Sequence, residues 1–146
     1  MSEATSDHKV SWKSWLALLA ALGVIAAVAI PQYGDYIHRA QASEAILLMS
    51  SAKTPLAEYF DAQKKWPDKL DMIVDRTSGK YTQSVAISKG AGGTGEIELT
   101  ATMRGEGVDR RVAGQSILMV SPDGGKSWTC KPGTMPAKNL TATCRN

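Results

Sequence analysis

The sequence predicts an α+β fold, with one long N-terminal helix packed through its second half on a four-stranded antiparallel sheet. Three observations predict it. A charge-free apolar run extends from Trp15 to Pro31. Apolar residues then recur at helical spacing from Tyr33 to Gln63. After Trp66-Pro67-Asp68, short alternating runs follow one another between Gly- and Pro-rich turns.

The first run holds 17 residues, the lower edge of a spanning helix. At a helical rise it covers roughly 25 Å. It has no polar face, which argues against a buried core helix. Two readings remain open at this point. One is a transmembrane helix. The other is a secretory signal with Lys9 and Lys13 as the basic region and cleavage after Ala29, at Ala27-Val28-Ala29. Lys9 and Lys13, with Trp12 and Trp15 at the edge, place the N-terminal side in the cytoplasm and the remainder outside. The domain division is therefore 1–14 as a cytoplasmic tail or atypical leader, 15–31 as the apolar helix, and 32–146 as an external globular domain.

In the second run the apolar side chains are Tyr36, Ile37, Ala40, Ala45, Leu47, Leu48, Met49, Leu56, Tyr59 and Phe60. Pro31 can sit inside one long helix at the cost of a hydrogen bond, and Pro55 can do the same or begin a new turn. Strands are expected at Tyr81–Ser88, Glu96–Met103, Ser116–Ser121 and Ser127–Cys130. Val85 and Ile87, then Ile97, Leu99 and Ala101, alternate with polar neighbours. Gly90–Gly95, Gly105–Gly114 and Pro122-Asp123-Gly124-Gly125 supply the connections. Short connections make an antiparallel meander, and the amphipathic helix is the available cover for its apolar face.

The composition is ordinary: 43% apolar, 21% charged, net charge +3. That charge is too small to argue for nucleic acid. Glu3, Asp7, Lys9 and Lys13 cancel, so the excess lies beyond Ile30. Cys130 and Cys144 are too few and too widely spaced for a zinc site or redox pair. In an exported chain a disulfide is the better reading, with two buried thiols as the alternative. No metal, cofactor or catalytic constellation emerges. His8 and His38 lack partners at ligand or triad spacing, and His38 is expected at a surface or interface. Gly90–Gly95 lacks the lysine and strand-to-helix setting of a phosphate loop. Asn139-Leu140-Thr141 matches a glycosylation acceptor by chance. Lys89, Arg104, Arg110, Arg111 and Lys126 are interleaved with Glu106 and Asp109, which favours a mixed solvated surface over a basic patch.

Two separated features, in this order, resemble a type IV pilin. The first is the apolar helix with Gly23, ending in Ala29-Ile30-Pro31-Gln32-Tyr33 and continuing amphipathically, with Glu58-Tyr59 and Trp66-Pro67 near its end. The second is Trp128-Thr129-Cys130, then Pro136-Ala137-Lys138-Asn139-Leu140, then Cys144-Arg145. The resemblance covers the chain from about Val10 onwards. It implies a pilin-like domain with a C-terminal disulfide loop, not an enzyme. It implies a structural subunit of a type IV pilus, serving adhesion, twitching motility or DNA uptake at system level. Trp15, Leu16, Leu19, Leu22, Gly23, Ile25, Val28, Ile30 and Pro31 would form the membrane and filament-core helix. Trp128, Thr129, Pro136, Lys138 and Leu140 would form the C-terminal signature. Implied partners are identical or related pilin subunits, the pilus assembly machinery and inner-membrane lipid, with no small-molecule substrate and no motif for nucleic acid.

The chain departs from the family pattern at two points. Lys9 stands where a pilin precursor has its cleavage glycine, and Ser14 where the apolar helix has a glutamate. Those departures open one alternative, an uncleaved inner-membrane accessory protein that assists or regulates pilus assembly or pilin modification; the signal-like reading of the apolar run keeps a second, a secreted binding domain released after Ala29.

Overall fold

The computed structural model describes residues 11–145. His8, Lys9, Val10 and most of the expected 1–14 tail therefore lie outside the described residues. Helix α1 spans Trp12–Gln63. Four strands follow: β1 (Thr82–Lys89), β2 (Ile97–Met103), β3 (Ser116–Ser121) and β4 (Thr129–Pro132). Short 3-10 helices occupy Leu70–Met72, Ala137–Asn139 and Ala142–Cys144. The chain divides into two compact units at Gly34/Asp35.

Local chemistry sets both ends of α1. Ser11 Oγ accepts the Lys13 amide at 3.3 Å, a side-chain cap on one of the orphan donors of the first turn. At the other end Lys64 adopts φ 58° and its N–H reaches the Phe60 carbonyl at 2.7 Å. That is the left-handed closing residue that satisfies a last-turn carbonyl, here without glycine. Pro31 and Pro55 both lie inside the helix.

In the second unit, α1 buries His38, Ala42, Ala45, Met49, Ala52 and Leu56. Their spacing of four and three residues draws one stripe along the helix. Three are alanines, which allow close approach to the sheet. The stripe is rotated from the expected one. Ala45, Met49 and Leu56 belong to both, but Tyr36 and Leu47 are 70% and 69% exposed. His38, expected at a surface or interface, is 2% exposed and joins the stripe. The stripe mixes three alanines with Met49, Leu56 and His38, so side-chain hydrophobicity alone does not select the face that is buried.

The sheet order is β1-β2-β3-β4, antiparallel throughout. Val85, Leu99 and Ala101 from the first two strands, with Ile117 and Met119 from the third, enter the core with the helix stripe. Leu99 pairs with Met119 and Ala101 with Ile117 on this face. The register of β1 and β2 shifts near Thr82 and again near Lys89. Strand β3 lies where the sequence places it. Strand β4 begins two residues later than expected, because Asp123 organises Pro122 to Ser127 as a turn.

Trp66 is the largest fully buried side chain. Its ring packs on Phe60 at 4.4 Å and edge-on to Trp128 at 6.5 Å. Its indole N–H donates to the Gly95 carbonyl at 2.7 Å, and its backbone N–H to that of Gly93 at 2.7 Å. One residue thus ties the helix end, the β1–β2 connection and the start of β4 together. The turn before β4 needs its glycines: Gly124 and Gly125 have φ 73° and 86°. A Cβ on them would meet Phe60 and Ala57 at under 3 Å.

Candidate interaction surfaces

Among the described residues the first unit is the N-terminal part of α1, and its apolar side chains are exposed. Trp15, Leu16, Leu19, Leu22, Ile25, Val28 and Ile30 are each at least half exposed, as are Trp12, Leu18 and Val24. Pro31 is exposed, and a Cβ added at Gly23 would meet nothing within 4 Å beyond the helix's own backbone. Leaving a large aliphatic side chain in water forgoes about 1.5–3 kcal/mol. Repeated along several turns, this makes an aqueous state untenable. The helix is long and apolar enough to cross a membrane. Its backbone polar groups are paired along the helix, apart from its first turn and the Ala27 carbonyl that Pro31 leaves without a donor, so lipid is a permissible solvent. Ala20, Ala21, Gly23, Ala26, Ala27 and Ala29 leave its surface low enough for another helix to approach closely.

The second unit carries the C-terminal signature. Cys130 in β4 is joined to Cys144 in the last 3-10 helix. Closing a loop of about 15 residues stabilises by about 3 kcal/mol in the chain-entropy model. Between them the segment returns to the core: Met135 and Leu140 are buried. It is stitched to β3, where the Met135 N–H donates to the Ser116 carbonyl and the Ser116 N–H to Thr134 Oγ1 at 2.8 Å. Trp128 is half-buried, its indole donating to the Gly125 carbonyl at 3.0 Å. Thr129 opens β4 and faces solvent. Pro136 leads into the 3-10 helix that carries the exposed Lys138. Asn139, the first residue of the glycosylation-like triplet, is buried and its amide donates to the Arg111 carbonyl at 2.9 Å. An amide so engaged is not a glycan acceptor.

A charged groove of about 210 Å³ lies among Asp35, His38, Arg39, Arg111, Lys138 and Asn139. Arg111 pairs with Asp35 at 2.8 Å and with Asp109 at 3.1 Å. The Asp109 N–H also donates to Gln41 Oε1 at 2.8 Å, holding the β2–β3 connection on α1. Hydrogen bonds from the Arg111 side chain and backbone hold the Asp109 carboxyl below its ordinary range. The bond to Asp109, then the charges of Asp109 and Asp35, raise Arg111 further. Arg104 spends its guanidinium on the Gly79 carbonyl at 3.2 and 3.0 Å. Lys89 sits 3.5 Å from Glu98. Three of the five cations considered for a patch are therefore engaged locally.

Two carboxylates act as backbone anchors that the sequence did not signal. Glu44 Oε1 accepts the N–H groups of Tyr81 and Thr82 at 2.9 Å each, and Oε2 that of Lys80 at 3.1 Å. Burial pushes Glu44 up, but these bonds outweigh it and its pKa is lowered. Asp123 accepts from Ser127 N–H at 2.9 Å and from Ser121 Oγ at 3.1 Å. The Ser127 side-chain bond leads the causes that lower its pKa. Among the described residues no three or more His, Cys, Asp or Glu side chains converge as metal ligands.

Comparison with known proteins follows the same outline. A family model described as pilin, a bacterial filament protein, matches residues 38–145. The fimbrial protein EcpC of Eikenella corrodens is 36% identical over 135 residues, covering 90% of this chain and 86% of the relative. The type IV major pilin protein PilE of Neisseria gonorrhoeae is 36% identical, covering 88% of this chain and 77% of the relative. A fimbrial protein of Neisseria meningitidis serogroup A is 35% identical over 134 residues, with 88% and 74% covered.

Proposed function

The chain belongs to the pilin family, and from that premise we propose that it is a structural subunit of a type IV pilus. The carrying observation is the apolar helix. Trp15, Leu16, Leu19, Leu22, Gly23, Ile25, Val28, Ile30 and Pro31 lie on a helix with no buried residue among them. Such a surface has two stable resting places, a bilayer and a bundle of like helices. Moving from one to the other exchanges apolar surroundings without passing through water, so assembly is packing rather than catalysis.

In this reading residues 15–31 anchor the subunit and then form the filament core, with residues 1–14 on the cytoplasmic side. The domain from residue 32 faces outward and carries the C-terminal signature: Trp128 and Thr129 lead into the bridge, and Pro136, Lys138 and the buried Leu140 lie within the loop it closes. The Cys130–Cys144 bridge accords with an oxidising compartment. Partners are identical or related pilin subunits, the assembly machinery and membrane lipid.

The test is to shear surface filaments from cells expressing the chain, image them, and determine the N-terminal residue by mass spectrometry. Filaments containing the chain are expected, with a start at Val10 if it is processed as the resemblance implies. An intact Met1 confined to the membrane fraction would indicate a resident accessory protein. A soluble species starting at Ile30 would indicate a secreted domain.

A further inference from the structure

We propose that the open half of the β1 edge is a docking groove for an extended, basic segment of a partner polypeptide, added as a further strand. Strand β1 ends the sheet, so one side of its backbone has no strand beside it. Its first half is covered from within the chain. The Thr77 carbonyl accepts the Val85 N–H at 2.6 Å, and the Gly79 N–H donates to the Thr82 carbonyl at 2.9 Å. That cover stops at Val85. Val85 to Ile87 stay in continuous register with β2. Backbone direction alternates along a strand, so the Ile87 N–H and C=O point the same way as the Val85 N–H, outward. Among the described residues no hydrogen bond from outside the sheet reaches them.

A groove of about 200 Å³ lies along this stretch, between Val85 and Ile87 on the strand and a facing wall of Asp68, Lys69, Leu70 and Asp71. Both sides are fixed. The Trp66 N–H donates to the Gly93 carbonyl at 2.7 Å and the Gly92 N–H to that of Pro67 at 3.2 Å, tying the wall to the β1–β2 connection. Arg104 holds the cover through the Gly79 carbonyl. A groove so preorganised leaves little of the protein to order on binding. Three features define the occupant. The free N–H and C=O of one residue require an extended backbone, the pairing that adds a strand to a sheet edge. Leu70 and Val85 are buried along the groove and Ile87 is half-buried, which suits one aliphatic side chain. Asp68 and Asp71 are exposed and enter no ion pair or hydrogen bond among the described residues, against the single Lys69. That surplus of negative charge favours lysine or arginine at the positions flanking the aliphatic one. Such an occupant needs no part of the apolar helix, so it lies beyond the filament reading.

The test uses the full chain in a mild non-ionic detergent and a labelled peptide of alternating lysine and valine, read by fluorescence anisotropy. Amide hydrogen exchange is the second readout. The peptide should bind, and N-methylation of its valines or glutamate in place of its lysines should each weaken it about five-fold. Asp68→Asn with Asp71→Asn, at two exposed and unbonded side chains, should weaken it about three-fold without a folding penalty. In the free chain the Ile87 amide should exchange at least about ten-fold faster than the Val85 amide, and it should slow when the peptide is added. Slow exchange at Ile87 in the free chain, no binding, or an affinity indifferent to N-methylation would overturn the proposal. An affinity unchanged in the double aspartate variant would overturn the basic occupant. Protection of Ile87 that grows with protein concentration alone would overturn it in favour of a second copy of this chain.

Discussion

Replacing Glu44 tests how the helix holds the first strand. Its carboxylate gathers three consecutive N–H groups, those of Lys80, Tyr81 and Thr82. A hydrogen bond to a charged group contributes about 1.5–3 kcal/mol. The three are not additive, and water replaces the bond at the exposed Lys80. Glu44→Ala should therefore cost about 3 kcal/mol. Glu44→Gln keeps one acceptor oxygen and should cost about half that. The effect depends on pH with a definite sign. The folded pKa lies below the ordinary value of 4.5, so the stabilisation is present above the unfolded pKa and is lost as pH falls through the folded one. The gap between wild type and Glu44→Gln should accordingly narrow from pH 7 towards pH 3. Gly79 supplies a second arm. A Cβ there would collide with the Glu44 carboxyl group, and Gly79 does not have a positive φ. Gly79→Ala should thus destabilise wild type by about 1–3 kcal/mol and be nearly neutral beside Glu44→Ala. Urea unfolding of the full chain in detergent, read by tryptophan fluorescence at several pH values, measures wild type and the four variants. Equal cost of Gly79→Ala in both backgrounds, or a Glu44→Gln gap that widens in acid, would refute the reasoning.

Other outcomes follow from the same structure. Trp66→Ala should cost about 3–5 kcal/mol and Trp66→Phe far less, measured by denaturant midpoint. Cys130→Ser with Cys144→Ser should cost about 3 kcal/mol, and non-reducing peptide maps of the native chain should contain a single bridge. Leu22→Arg puts a charge at the middle of the apolar run, a penalty of about 2.5–3.5 kcal/mol at a bilayer centre. It should reduce membrane-fraction yield while the Cys130–Cys144 bridge still forms. Asn139 should carry no glycan by intact-mass analysis in a glycosylating host, and Asn139→Ala should instead loosen the β2–β3 connection.

What could be read in advance was whatever repeats along the chain. The apolar run needs only counting, and β2 and β3 announce themselves through Ile97, Leu99, Ala101, Ile117 and Met119. The order of elements follows from short connections. What could not be read was whatever depends on a distant partner. Nothing local tells that Glu44 will meet residues 80–82, or that Arg111 will stand between Asp35 and Asp109. The buried stripe of α1 was misplaced for a related reason. Hydrophobicity favours Tyr36 and Leu47, whereas the face that is buried carries three alanines and His38 beside Met49 and Leu56. Strand β4 begins later than the turn signal at Pro122–Gly125 suggests, because Asp123 holds the Ser127 N–H in the turn and Trp128 packs against Trp66 before the strand begins.

The order of strands in the sheet is also their order in the chain, and the one covalent tie lies at its far end. A polypeptide emerging N-terminus first can therefore build each strand on the one already laid down, with no late segment inserted between earlier ones. Oxidation comes last, when Cys144 clears the exit and meets a cysteine whose strand already has its neighbour. The bridge then acts as a latch on a finished sheet, and a reductant arriving later would free the hem before the cloth.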